Sequence, residues 1–174
     1  MKNVFKITLL ALFVVGGLQA QEVRFAGTAG YTLATAKIDI PEFGDESESE
    51  SGFYFGLVAE FDLTESIELR PELTYVNVDD TSFLQVPILA KFGIAESGFS
   101  LLAGPTVTYT LEDVDDVFTR FNIALGAGVS YDITANLFAE ARYAFQLNNY
   151  YTGDEVDDLT SRINFLNIGL GYRF

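Results

Sequence analysis

The sequence predicts an all-β fold: an eight-stranded antiparallel up-and-down transmembrane β-barrel with a closed, polar-filled lumen. Three observations predict it. Beyond the N-terminal segment, apolar residues recur with a period of two, and no stretch keeps helical spacing over three turns. There are eight such stretches, and each reaches the ~9–11 residues that cross a bilayer at a tilt. The connections alternate between short turns and mostly longer, acidic loops, as in a meander whose two rims differ.

The chain opens with MKNVFKITLLALFVVGGLQA. Lys2 and Lys6, an apolar run from Ile7 to Val15, and small or polar residues closing on Ala20 read as a secretory signal peptide, 1–20. The apolar run is too short for a comfortable membrane-spanning helix. The 154 residues left of 174 suit one barrel domain, 21–174.

The first strand, 22–36, puts Arg24, Ala26, Thr28, Gly30 and Thr32 on one face. The second, 52–63, carries Phe53, Phe55, Leu57, Ala59, Phe61 and Leu63 on one face and Glu60 and Asp62 on the other. The third, 66–78, has Glu68, Arg70 and Glu72 on its polar face and Tyr75 on its apolar one. In the fourth, 83–94, Pro87 and Lys91 share the polar face; proline lacks a ladder donor, so a bulge or weak point of pairing is expected there. The fifth, 98–110, gives an apolar face of Phe99, Leu101, Ala103, Pro105, Val107 and Tyr109. The sixth, 120–132, sets Phe121, Ile123, Leu125, Ala127, Val129 and Tyr131 against Asn122, Ala124, Gly126, Gly128 and Ser130. The seventh, 136–149, sets Leu137, Ala139, Ala141, Tyr143, Phe145 and Leu147 against Glu140 and Arg142. The eighth, 163–174, sets Leu166, Ile168, Leu170, Tyr172 and Phe174 against Arg173. Short turns fall at 64–66, 95–98 and 132–136; KIDIPEFGDESESES, LEDVDDVFT and YTGDEVDDLTSR connect on the other rim, with VDDTS its short member. An even strand count puts both termini on the short-turn rim, which is then the periplasmic one.

Volume assigns the faces. An eight-strand barrel has an interior barely wide enough for side chains. The face rich in Phe, Tyr and Leu does not fit there, whereas Gly, Ala, Ser and Thr with a few long charged residues do. A water-exposed surface has no reason to prefer Gly126 and Gly128 to Lys or Glu, which argues against a soluble ligand-binding barrel. The polar face therefore lines the lumen and the bulky face meets lipid. Aromatics gather towards strand ends on the bulky face, Phe25, Phe61, Phe92, Phe99, Tyr131 and Tyr172 at one rim and Phe53, Tyr75, Tyr109, Phe121 and Phe145 at the other, as in interfacial girdles.

The polar face holds five bases (Arg24, Arg70, Lys91, Arg142, Arg173) and five acids (Glu60, Asp62, Glu68, Glu72, Glu140), near balance in a chain of net charge −15. Buried charges are costly unless paired, so a lumen ion-pair network is expected. Glu60, Glu72, Lys91, Glu140 and Arg142 are its expected middle, with Lys91 facing Glu60 or Glu72. Such a network plugs and rigidifies the lumen; a gated ion path is the alternative.

The net charge argues against nucleic-acid binding, which needs a basic patch. With no His and no Cys, most metal sites and nucleophile–base pairs are absent, so neither a cofactor nor an enzymatic role is expected. The acidic loops offer Asp113, Asp115, Asp116, Asp154, Asp157 and Asp158 as weak candidate oxygen ligands for a divalent cation, or as a docking surface for extracellular ligands. Their spacing is not that of an EF-hand, and the Glu/Ser alternation from Glu46 to Ser51 reads as a flexible loop tip.

The stretch FLQVPILAKFGI (83–94), preceded by LRPELTYV and joined by the terminal GLGYRF, resembles the small outer-membrane β-barrel family common in Bacteroidetes, the PorT-like barrel domain; by architecture the chain is similar to OmpA/OmpX-type eight-strand barrels. The resemblance covers essentially the whole mature chain and implies fold and location more than chemistry: outer-membrane lipid as surroundings, and the barrel-assembly machinery as a partner that reads the terminal aromatic strand through Tyr172 and Phe174. The expected function is that of an integral, non-enzymatic barrel serving membrane integrity or surface interaction; the alternative is a small pore or transport-related barrel.

Overall fold

The computed structural model describes residues 23–40, 44–95, 97–115, 117–153 and 159–174. Eight strands follow in order: β1 (Val23–Ile40), β2 (Gly44–Thr64), β3 (Ile67–Val78), β4 (Thr81–Gly93), β5 (Phe99–Thr110), β6 (Phe121–Asp132), β7 (Leu137–Gln146) and β8 (Thr160–Arg173). Each pairs antiparallel with the next, and β8 pairs back onto β1 from Ala26↔Arg173 to Asp39↔Thr160, so the sheet closes on itself. The period-two alternation has become two faces. Large apolar side chains are exposed outward along the strands, while the buried positions include Glu60, Arg70, Glu72, Lys91, Glu140 and Arg142. The signal-peptide expectation lies outside the described residues.

Local chemistry sets the short turns. Thr64 Oγ1 accepts hydrogen bonds from the backbone N–H of Ser66 (3.2 Å) and Ile67 (3.1 Å), closing the β2–β3 turn. Thr134 Oγ1 does the same for Asn136 (3.3 Å) and Leu137 (3.0 Å) before β7. Between Val78 and Thr81 the turn has two residues, and Asp79 takes φ 49°, a conformation aspartate tolerates better than most.

One expectation needs correcting, and another holds in one of its two forms. The Glu46–Ser51 stretch is not a loop tip: it is the first part of β2, paired residue for residue with β1 from Ile38↔Glu46 to Leu33↔Ser51. Pro87 does weaken pairing, since the β3–β4 ladder lapses between Pro71↔Ile88 and Thr74↔Gln85, but the register is the same on both sides. The register shift lies instead at the end of β2, between Asp62 and Thr64.

The interior is also more aromatic than the volume argument allowed. Tyr54, Phe83, Phe138 and Phe165 point inward and are buried. Glycines on neighbouring strands make the room. Gly171 pairs with Phe138 across β7–β8, and a Cβ there would overlap the Phe138 ring. Gly30 and Gly169 face each other across β1–β8; a Cβ on either would run into Tyr54. The face as a whole is small and polar, as the sequence implied, but its glycines serve as seats for a few large rings.

Candidate functional site: the charged lumen

Near the middle of the barrel, Arg70 on β3 is fully buried and lies 3.5 Å from Glu60, 3.4 Å from Glu72 and 3.3 Å from Glu140. Arg142 on β7 binds Glu72 and lies 3.2 Å from Glu140. Arg173 on β8 donates to Glu60 at 2.8 Å and to Asp132 at 2.9 Å. Below them, towards the short-turn rim, Arg24 forms a two-pronged pair with Asp62 (2.7 and 2.8 Å) and lies 3.5 Å from both Glu60 and Glu68. Five cations and six carboxylates thus form one connected network.

Of the residues expected at its centre, Glu60, Glu72, Glu140 and Arg142 come together there. Lys91 does not: it meets Glu68 at 3.2 Å and Asp132 at 3.9 Å, rather than Glu60 or Glu72. The reason is register. Glu68 and Lys91 are direct cross-strand partners, so the shorter reach is to Glu68. Two members were missed. Arg70 had been placed on the polar face but not at the centre, which it holds. Asp132 ends the sixth strand, as expected, but was left out of the network; its carboxylate lies towards Lys91 and Arg173.

Aromatic rings complete the packing. The guanidinium of Arg173 sits 4.6 Å from the centroid of Phe138 and that of Arg70 sits 5.2 Å away, so one buried ring supports two cations. Arg142 lies 6.0 Å from the Tyr54 ring. Above this level Ala34, Tyr54, Val76, Val78, Phe83 and Phe165 form an apolar plug, with Phe83 and Phe165 edge-to-face at 5.1 Å. Two inner cavities measure only about 20 Å³, beside Gln85, Leu102 and Arg142, and about 10 Å³, beside Phe83, Asn122 and Gln146. Each has room for about one water, which is too little for a passage. A larger mouth of about 230 Å³ opens above the plug, between Glu48, Glu50, Phe83, Tyr150 and Ile163. Burial pushes the Tyr150 phenol above its ordinary range, so it stays neutral in the physiological range.

In the acidic loops, Asp113 is exposed and taken up by Arg120, and Asp115 is exposed. Asp116, Asp154, Asp157 and Asp158 lie outside the described residues. Among the described residues no three His, Cys, Asp or Glu converge as a metal cage. At the C-terminus, Tyr172 pairs with Gly27 on β1 and Leu137 on β7. The Phe174 N–H donates to Phe25 O at 3.0 Å, and its ring stands outward at 79% exposure, 6.2 Å from that of Tyr172.

No family model and no curated relative matches the chain. Solved structures do. The Yersinia pestis attachment invasion locus protein Ail, in complex with the heparin analogue sucrose octasulfate, is 18% identical, with a TM-score of 0.50 over 88% of this chain and 99% of that one. Neisserial surface protein A is 21% identical, with a TM-score of 0.48 over 86% and 97%. The outer membrane protein OprG from Pseudomonas aeruginosa is 14% identical, with a TM-score of 0.46 over 88% and 97%. The chain has the fold of a small eight-stranded barrel of the OmpA/OmpX architecture. At these identities the likeness concerns the fold alone.

Proposed function

We propose that this protein is an integral outer-membrane barrel without enzymatic activity, which acts through its architecture and its acidic long-loop rim rather than by conducting solutes. One observation carries the reading: the barrel is inside-out for water. Its charged groups are buried in the lumen, while Phe25, Leu57, Leu101, Leu125, Ile168 and Leu170 stand exposed on the outer wall. Such a continuous apolar wall is far larger than a soluble monomer tolerates, and it suits a hydrocarbon surround. The aromatic pairs Phe55–Tyr75 and Phe99–Tyr131, with centroids 5.1 and 4.6 Å apart, fit the two interfacial girdles. The termini on the short-turn rim then face the periplasm. The FLQVPILAKFGI motif supports placing the chain near the PorT-like barrels within this architecture, and the lack of His and Cys supports a non-enzymatic role.

Fractionation tests the location. The mature protein should stay with membranes through high-salt washing, dissolve only in detergent, and migrate differently on gels before and after heating. Release in salt without detergent refutes the reading.

A further inference from the structure

Five of the chain's ten basic residues belong to the lumen network, and Arg120 is paired with Asp113. Two others, Lys37 and Arg162, lie side by side on the outer wall. They are direct cross-strand partners on β1 and β8. Like charges facing each other across a ladder are destabilising, so the pair calls for an anion between them. Neither forms an ion pair among the described residues, although Asp39 and Glu46 border the same cleft. The Arg162 guanidinium lies 5.9 Å from the ring centroid of Phe145, at the end of the outward apolar band. Its Nε is buried with no hydrogen-bond acceptor.

Strand lengths create the cleft. β7 ends at Gln146, and its last pair with β8 is Ala144↔Phe165, whereas β8 stays paired with β1 out to Thr160. Gln146 and Asn164 replace the missing ladder with side-chain bonds, Gln146 N–H to Asn164 Oδ1 at 3.0 Å and Ile163 N–H to Gln146 Oε1 at 2.8 Å. The step left on the outer wall is a cleft of about 410 Å³ lined by Lys37, Phe145, Thr160 and Arg162.

We propose that Lys37 and Arg162 bind the phosphate of an anionic lipid headgroup in the leaflet on the long-loop side. This rests on the membrane reading above. Arg162 offers a planar fork to two phosphate oxygens and Lys37 a point charge, while Phe145 lies where acyl chains begin. Asp39 and Glu46 line the same cleft and limit how much anionic charge it can take. Among the described residues this rim also exposes Glu48, Glu50 and Asp115, so the pair is a local attraction on a largely acidic surface.

The test uses the refolded mature protein in phosphatidylcholine bilayers with spin-labelled phosphatidic acid, read as its association relative to spin-labelled phosphatidylcholine. The wild type should prefer phosphatidic acid. Lys37→Gln or Arg162→Gln should each lower that preference about fivefold, and the double substitution should abolish it, since a basic residue at an anionic surface contributes about that factor. Lys37→Arg with Arg162→Lys should retain it. An unchanged preference in the double variant overturns the proposal. Loss of the wild-type preference to millimolar inorganic phosphate overturns the headgroup assignment in favour of a free anion. Should the double variant not fold, the wild type's own salt titration decides: a preference insensitive to salt refutes a two-cation site. The heat-dependent gel shift reads bilayer insertion separately, so failure of the membrane reading is distinguishable from failure of this one.

Discussion

Arg70→Met tests the charged lumen most directly. Arg70 has no exposure and touches three carboxylates that are themselves buried. Its removal leaves Glu60, Glu72 and Glu140 with Arg142, Arg173 and, at Glu60, Arg24, and takes the network from five cations against six carboxylates to four against six. Breaking a buried ion pair from one side costs about 3–5 kcal/mol. Losing the stacking on Phe138 adds about 1 kcal/mol, so the expected loss is about 4–6 kcal/mol, a large share of a domain's stability of about 5–15 kcal/mol. Charge rather than shape is the cause, which the double variant Arg70→Met/Glu140→Gln isolates. It leaves two closed pairs, Arg142 with Glu72 and Arg173 with Glu60. Its cost should fall to within about 2 kcal/mol of wild type, because neutral replacements of buried ion groups are often tolerated. The chain lacks tryptophan, so urea unfolding in lipid vesicles is best followed by the gel shift of the folded barrel. A single-variant loss below about 1 kcal/mol, or a double variant no better than the single, refutes the charge-balance reasoning.

Three other outcomes are expected. Phe138→Ala should cost about 3–5 kcal/mol as a cavity substitution; Gly171→Ala should also destabilise, because its Cβ meets the same ring, and Phe138→Leu should rescue part of that loss in the same unfolding assay. Deleting Phe174, whose ring lies 3.6 Å from where a Gly27 Cβ would stand, should lower the amount of protein in the membrane fraction, and normal levels count against a role in assembly. Planar-bilayer recordings should show no sustained conductance; a stable current that changes with Glu72→Gln or Lys91→Gln would favour the pore instead.

Strand number, direction and the inward face of every strand were legible in the sequence, because a period of two needs no knowledge of neighbours. What sits beside what was harder to read. Arg70 and Glu140 are seventy residues apart and meet only through the stagger of the closed sheet, which alternation does not encode. Lys91 is the instructive case. The two-residue turn at Asp79–Asp80 sets the β3–β4 register, and counting back from it pairs Lys91 with Glu68. That signal was present in the sequence and would have corrected the expectation. The Glu46–Ser51 strand was hidden for a different reason. Glutamate and serine have low strand propensity, and the segment is held by its ladder with β1 instead.

That acidic strand also shows what the charge excess does outside the lumen. Past Gly52, β2 has no β3 partner, because β3 ends at Val78. From Asp45 to Ser51 its far edge therefore has no strand partner among the described residues, and such an edge recruits other strands. Glu46, Glu48 and Glu50 recur along it, exposed, at every second residue. A second copy docking edge to edge would bring two such acidic rows together, and like charges across a ladder oppose pairing. Six of the 25 acidic residues balance cations inside the lumen. Glu46, Glu48 and Glu50 take no part in that balance, and their placement along an edge without a strand partner among the described residues opposes edge-to-edge pairing of the hairpin.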